Sequence, residues 1–207
     1  RLLDRGETIH AMAAVGETLY IRTSFGLYSA GPGDESAVLR VPMEEPRYDS
    51  YLRPGEDPDQ PQAALILADG ERLLGLDVRQ QTLYTLGILG QELVYTAPLK
   101  LDLSDFLQGD ARQFSFQLPS FITVMDGHMY MRLPHFGEKQ QDLFSFNLQT
   151  GEKKAYSPLN FQAMAPYRDG SLIAIQANLA DAYQKDSTSG RRPRLAVFTP
   201  GSDSAES

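Results

Sequence analysis

Leu143-Phe144-Ser145-Phe146-Asn147-Leu148-Gln149-Thr150-Gly151-Glu152 reads as an apolar strand running into a tight glycine turn. Its opening triplet (apolar, aromatic, hydroxyl) occurs at Leu27-Tyr28-Ser29, Leu83-Tyr84-Thr85, Leu143-Phe144-Ser145 and Val197-Phe198-Thr199. The aromatic residues at 28, 84, 144 and 198 follow one another at intervals of 56, 60 and 54 residues. A glycine turn closes each copy, at Gly31 to Gly33, Gly90, Gly151 and Gly201. Self-similarity at such a period marks a repeat architecture.

A second marker precedes each triplet. Val15-Gly16, Asp69-Gly70, Asp126-Gly127 and Asp169-Gly170 each separate two apolar stretches. Asp-Gly is a strong hairpin signal, because both central positions of a type I′ turn need φ > 0. The stretches before these turns are 9–15, 63–68, 121–125 and 161–167, and those after are 18–22, 72–78, 128–133 and 172–177. Met129, Met131 and Leu133 alternate with Tyr130 and Arg132, the period of a strand. A further strand follows the later turn at 37–41, 93–96 and 154–156. Each unit thus reads strand A, tight turn, strand B, loop, strand C, glycine turn, strand D.

One such meander cannot bury both its faces, so neighbours must stack on it. Radial stacking is the propeller solution. The expectation is an all-β chain, a β-propeller or partial propeller of about four four-stranded antiparallel blades, spanning roughly 6–45, 60–100, 115–158 and 160–200. Residues 201–207 are small, polar and acidic and read as a linker or tail. The fourth copy stops after strand C. Either the segment 1–5 completes that blade, or the chain is cut from a larger ring; the second is preferred, because four-bladed rings are uncommon. A β-sandwich gives no reason for the recurring signature. Long helical periodicity is absent; the best helix candidates, 103–108 with Ser104 as a plausible N-cap, and 177–184, lie between strands and read as short turns.

The stretch 142–152 resembles the C–D hairpin of bacterial quinoprotein-like repeat propellers, in which an apolar strand ends in Thr-Gly-Glu or Thr-Gly-Lys. Glycine supplies the left-handed residue the hairpin needs. The literal motif occurs once; Gly87-Ile88-Leu89-Gly90-Gln91-Glu92 and Gly31-Pro32-Gly33-Asp34-Glu35 depart from it. Quinone-binding members commonly carry Trp and this chain has none, so no cofactor is expected. The chain also looks like propellers of bacterial cell surfaces, some attached to solute-binding or cell-wall domains. That resemblance implies an extracellular or cell-surface location.

The 207 residues are 42% hydrophobic and 22% charged, ordinary for a globular chain. The net charge of −8 and pI near 4.9 argue against nucleic-acid binding and against docking on anionic lipid. With no cysteine, disulfides, thiolate metal sites and cysteine nucleophiles are excluded. No apolar run approaches the ~18 residues of a membrane span, and no signal peptide is visible. The chain opens on Arg1 rather than Met and reads as a processed or trimmed piece.

Loop length points to the functional face. In a four-stranded blade the A–B and C–D turns share one face and the B–C and D–A loops the other. The first class is tight. The second is long at 42–62, 97–120, 134–141 and 178–194. Long loops on a rigid scaffold commonly carry function, so the B–C/D–A face is the expected ligand face. Its candidate contact residues are Tyr48, Tyr51, Arg53, His135, Phe136, Tyr183, Arg191 and Arg192, of the aromatic and guanidinium types that anchor recognition. Phe106, Phe114 and Phe116 lie in the same loops as local cover for blade edges. The Arg191-Arg192-Pro193-Arg194 run is either a solvated loop or a contact for an anionic partner.

Catalytic signatures are lacking. Of the three histidines, His10, His128 and His135, the last two are seven apart. Odd spacing on a strand sends side chains to opposite faces. Asp102, Asp105 and Asp110, and Glu56, Asp57 and Asp59, do not match the EF-hand spacing, so no metal is expected. Neither a Gly-x-Ser-x-Gly elbow nor a phosphate-binding glycine loop occurs. The expected function is a non-catalytic binding or scaffolding module of a secreted or surface-anchored bacterial protein, recognising protein, peptide or glycan. The rest of a propeller or an attached domain is a further expected partner; nucleic acid and membrane insertion are not expected. A propeller-fold glycan hydrolase or lyase, and a structural spacer, are the alternatives.

Overall fold

The computed structural model describes residues 6–109, 113–133, 143–156, 161–167, 170–176 and 194–199. Among them the chain is all-β, built from successive antiparallel meanders of the β-propeller class, as the repeat predicts. Strands β1 (Ile9–Val15), β2 (Thr18–Thr23), β3 (Gly26–Ala30) and β4 (Val38–Pro42) form the first sheet in chain order. Strands β5 (Leu65–Asp69), β6 (Arg72–Asp77), β7 (Thr82–Leu89) and β8 (Glu92–Lys100) form the second. A small hairpin, β9 (Leu107–Gly109) with β10 (Phe114–Phe116), follows. Then come β11 (Phe121–Met125), β12 (His128–Arg132), β13 (Leu143–Asn147) and β14 (Lys153–Tyr156), again in order. The last sheet has β15 (Phe161–Pro166), β16 (Leu172–Gln176) and β17 (Arg194–Phe198), three strands among the described residues.

The turn chemistry differs from expectation in a specific way. At β11–β12 the two central residues are Asp126 and Gly127, with φ of 49° and 68°, as a type I′ turn requires. At β5–β6, Asp69 is the last paired strand residue, opposite Arg72, so the central pair is Gly70-Glu71. Only Gly70 has positive φ there, the pattern of a turn with glycine at its first central position. Asp69 instead forms an ion pair with Arg72 across the turn. The 103–108 stretch holds a short turn, as expected. Ser104–Phe106 is a single 3₁₀ turn, and Leu107 onward is strand β9. The N-cap position is Leu103, without a side-chain cap, and Ser104 is the first residue of the turn; Asp102 accepts the Ser104 N–H at 3.1 Å. The 177–184 candidate lies outside the described residues.

The chain divides into two compact units, 1–118 with 146–153, and 119–145 with 154–207. In the first, sheets β1–β4 and β5–β8 pack face to face. Ala13, Leu27 and Val41 of one meet Ala63, Ile66, Leu73 and Leu86 of the other or of its lead-in segment, all buried. Gly75 belongs to this contact, since a Cβ there would stand 2.8 Å from Leu86 Cδ1 and 2.9 Å from Ala63 Cβ. In the second unit Tyr130 and Leu143 pack on Leu172, Ala174, Ala196 and Phe198. Tyr156 meets Phe198 edge-on at 5.2 Å between ring centres. Each buried Leu or Phe of such a core contributes about 1.5–3 kcal/mol by leaving water.

Candidate ligand-binding clefts

The residues between β4 and β5, 43–64, are extended and irregular. Pro46, Pro54, Pro58 and Pro61 withhold the N–H groups a ladder needs. Side chains hold the segment instead. The Arg47 guanidinium grips both Glu56 oxygens at 2.8 and 2.7 Å and Asp49 at 2.6 Å, and also donates to the Tyr51 carbonyl. Arg47 is only 13% exposed, so this fork closes 47–56 into a fixed loop. Those two carboxylates raise the Arg47 pKa against the opposing effect of burial.

The described part of the second long connection within this unit, 101–109 with 113–118, docks on the first. Ser50 N–H donates to Phe114 O at 2.9 Å, Phe116 N–H to Tyr48 O at 2.5 Å, and Phe114 N–H to Ser50 Oγ at 2.9 Å. Asp49 and Ser115 form an antiparallel bridge. Below it Phe106 and Phe116 stack 6.0 Å apart, both buried. The two D–A connections of this unit therefore form one ordered cap.

Arg22 of β2 anchors that cap from beneath. It is fully buried, and its guanidinium donates to three backbone carbonyls: Ala63 at 3.3 Å, Glu44 at 2.5 Å, and Thr23. Burial lowers its pKa, with Tyr48 and Tyr95 acting against the shift, and it stays charged. His10 Nδ1 lies 3.2 Å from Tyr48 Oη. Burial pushes the Tyr48 phenol up to about 12, so it stays neutral. The same desolvation, then Arg22, lowers the His10 pKa. Asp77, at the end of β6, is buried and accepts Gln62 N–H on Oδ2 and Gln80 N–H on Oδ1, each at 2.8 Å. It ties the end of the proline-rich segment to the β6–β7 turn.

Two clefts flank Pro42-Met43-Glu44. The first, about 760 Å³, lies between the 55–62 stretch and β8. Its wall includes Glu44, Glu56, Arg79, Glu92, Leu93 and Tyr95. Tyr95 is fixed by accepting Ala63 N–H at 3.2 Å and by edge contact with Tyr84 at 5.4 Å. The second cleft, about 740 Å³ and shallower, is lined by Ser24, Phe25, Glu45 and Arg53 among others. Phe25 is 60% exposed there.

Of the sequence-expected contact residues, Arg53 lines the second cleft and pairs loosely with Glu44 at 3.8 Å. Tyr51 is exposed but lines neither cleft. Tyr48 is committed to His10 and to the cap backbone. His135, Phe136, Tyr183, Arg191 and Arg192 lie outside the described residues. Sequence reading passed over Arg79, Glu92, Tyr95 and Phe25, which sit in short turns or a strand. The one available signal was Arg22, a charge inside an apolar strand.

The Asp102/Asp105 cluster has a structural occupant. Lys153 Nζ lies 2.8 Å from Asp102 Oδ2 and also contacts Asp105. The turn that carries Lys153 explains the Thr150-Gly151-Glu152 motif: a Cβ on Gly151 (φ 74°) would stand 2.5 Å from Lys100 O. Glycine is required here by close approach as well as by conformation. The Lys153 hydrogen bond, then that to Ser104, holds Asp102 down at about 2. A depressed carboxylate stabilises the fold above its unfolded pKa, and this contribution is lost as pH falls toward 2. Lys153→Met is expected to raise the Asp102 pKa toward 3.8 in an NMR titration. Because Asp102 is 62% exposed, the accompanying loss of stability at pH 7 should stay below about 1 kcal/mol.

These features define a β-propeller-class scaffold whose two long connections form a cap, with a cleft that extends beyond the expected B–C/D–A face to the β7–β8 turn. The sequence matches no protein-family model and no curated protein. Among solved structures, the chain is similar to the computationally designed Ika4 protein at 7% identity, covering 96% of this chain and 95% of that one, with a TM-score of 0.44. It is similar to KlHsv2 with loop 6CD replaced by a Gly-Ser linker at 10% identity, covering 85% of this chain, with a TM-score of 0.43. It is also similar to the N-terminal domain of Nup159 at 12% identity, covering 96% of this chain, with a TM-score of 0.38. The chain spans 46% of each of the last two. At these identities the matches assign neither activity nor partner.

Proposed function

We propose that this chain is a non-catalytic binding module that takes its ligand in the cleft between the 55–62 stretch and β8. The observation that supports this most is the way the cleft wall is held. Arg22 and Asp77, both buried, and Arg47 fix the irregular segment through backbone carbonyls, N–H groups and carboxylates. A preformed concave site lined by mixed apolar and polar groups is what recognition needs, and rigidity lowers the entropy cost of binding. The quinoprotein-like hairpin at 142–152 supports placing the module in a secreted or surface-anchored bacterial protein. Leu93→Arg, which puts a long charged side chain into the cleft, tests the binding reading. Peptide and glycan arrays probed with both proteins should return ligands whose signal falls at least tenfold with the variant. Equal signals, or no ligand for either protein, would refute the cleft.

A further inference from the structure

We infer that the cleft accepts an extended peptide segment carrying lysine or arginine between apolar residues; this rests on the binding reading above and specifies its ligand. Three observations carry it: shape, edge and charge.

The lining of the cleft reaches both ends of one strand. Its wall includes Arg79 in the β6–β7 turn and Gln91-Glu92 at the β7–β8 turn. These turns bound opposite ends of β7, whose eight residues extend about 23 Å. A groove of that length matches an extended chain of about six or seven residues at ~3.3 Å each. One side of it is the start of β8, and β8 is the last strand of its sheet, hydrogen-bonded to β7 alone among the described residues. An edge strand in a groove is the geometry used when an extended peptide adds to a sheet.

The charge selects the peptide's sign. Four carboxylates line the cleft, Glu44, Glu56, Asp57 and Glu92, against one guanidinium, Arg79. Glu56 is already neutralised by Arg47 at 2.7 Å, with Arg79 3.9 Å away. Glu44 has only the exposed partner Arg53 at 3.8 Å, a weak pairing in water. Asp57 and Glu92 form no ion pair among the described residues, and both are exposed. The field in the groove is therefore negative, which attracts ammonium and guanidinium groups and repels polyanions, nucleic acid and acidic glycans alike. Met43, Leu93 and Tyr95 add apolar surface to the same cleft, which suits a peptide whose basic residues are separated by apolar ones.

The test uses three fluorescein-labelled heptapeptides, Gly-Lys-Leu-Lys-Leu-Lys-Gly and its analogues with Gln or Glu in place of each Lys, read by fluorescence anisotropy. The Lys peptide should bind saturably, about tenfold more tightly than the Gln peptide, and weaken as salt rises. The Glu peptide should not bind. The triple variant Glu44→Gln, Asp57→Asn, Glu92→Gln, which changes exposed groups only, should lose that tenfold preference while its circular dichroism spectrum stays unchanged. Saturable binding that is indifferent to peptide charge or to the triple variant would overturn the inference. So would the absence of Lys-peptide binding. A glycan that binds and is lost with Leu93→Arg would overturn the basic-peptide inference while leaving the binding cleft standing. No ligand of either kind would overturn both.

Discussion

Replacing Arg22 with methionine is expected to cost about 3–5 kcal/mol of unfolding free energy, read as a drop of about 10 °C in thermal midpoint. The side chain volumes are similar, so the loss is not one of packing. It is one of hydrogen bonding, because the Thr23, Glu44 and Ala63 carbonyls lose the buried donor they share. Each orphaned buried polar group costs about 1–3 kcal/mol, and neighbouring ones do not add fully. Arg22→Lys should recover only part, because one ammonium cannot span three carbonyls. Urea unfolding decides the matter; a loss below about 1 kcal/mol would show the carbonyls find water instead. The variant should also weaken ligand binding, because Glu44 stands in the cleft wall.

Asp77→Ala should destabilise by about 1–3 kcal/mol at pH 7, from two half-buried N–H groups left without their acceptor. Asp77→Asn should be nearly as harmful, since its amide NH₂ would face one of those N–H donors. The pH dependence gives a second readout. Burial raises the Asp77 pKa above its ordinary 3.8, against the hydrogen bonds from Gln80 and Gln62 and the nearby Arg79. A carboxyl whose folded pKa is raised binds its proton more tightly when folded. Its contribution is full below the unfolded pKa and is lost as pH rises through the folded one. The stability gap between the parent protein and Asp77→Ala should therefore widen on acidification from pH 7 toward 4. A gap that narrows would mean the two N–H donors outweigh burial.

The repeat signature and the hairpins were legible because they depend on local rules. Alternation places Ile21 and Leu27 inward, and only glycine readily supplies the positive φ at positions 70, 90 and 151. Even there the neighbourhood corrected the detail. The central pair at β5–β6 is Gly70-Glu71 because cross-strand packing set the register, with Asp69 opposite Arg72. The long connections were legible as candidates for function by length alone. Their contents were not, because whether Tyr48 faces ligand or backbone depends on residues 38 and 68 positions away, His10 and Phe116.

The sequence by itself determined an all-β chain of repeated meanders, an acidic composition without thiol chemistry, and the long connections 42–62 and 97–120. The tertiary structure alone decided that those connections dock on each other and that a buried arginine holds them. It also decided that the acidic side chains of 44, 57 and 92 share one groove. Period and turn chemistry are properties of neighbours along the chain. A cleft is a property of segments brought together by burial, so its residues carry no common mark in the sequence.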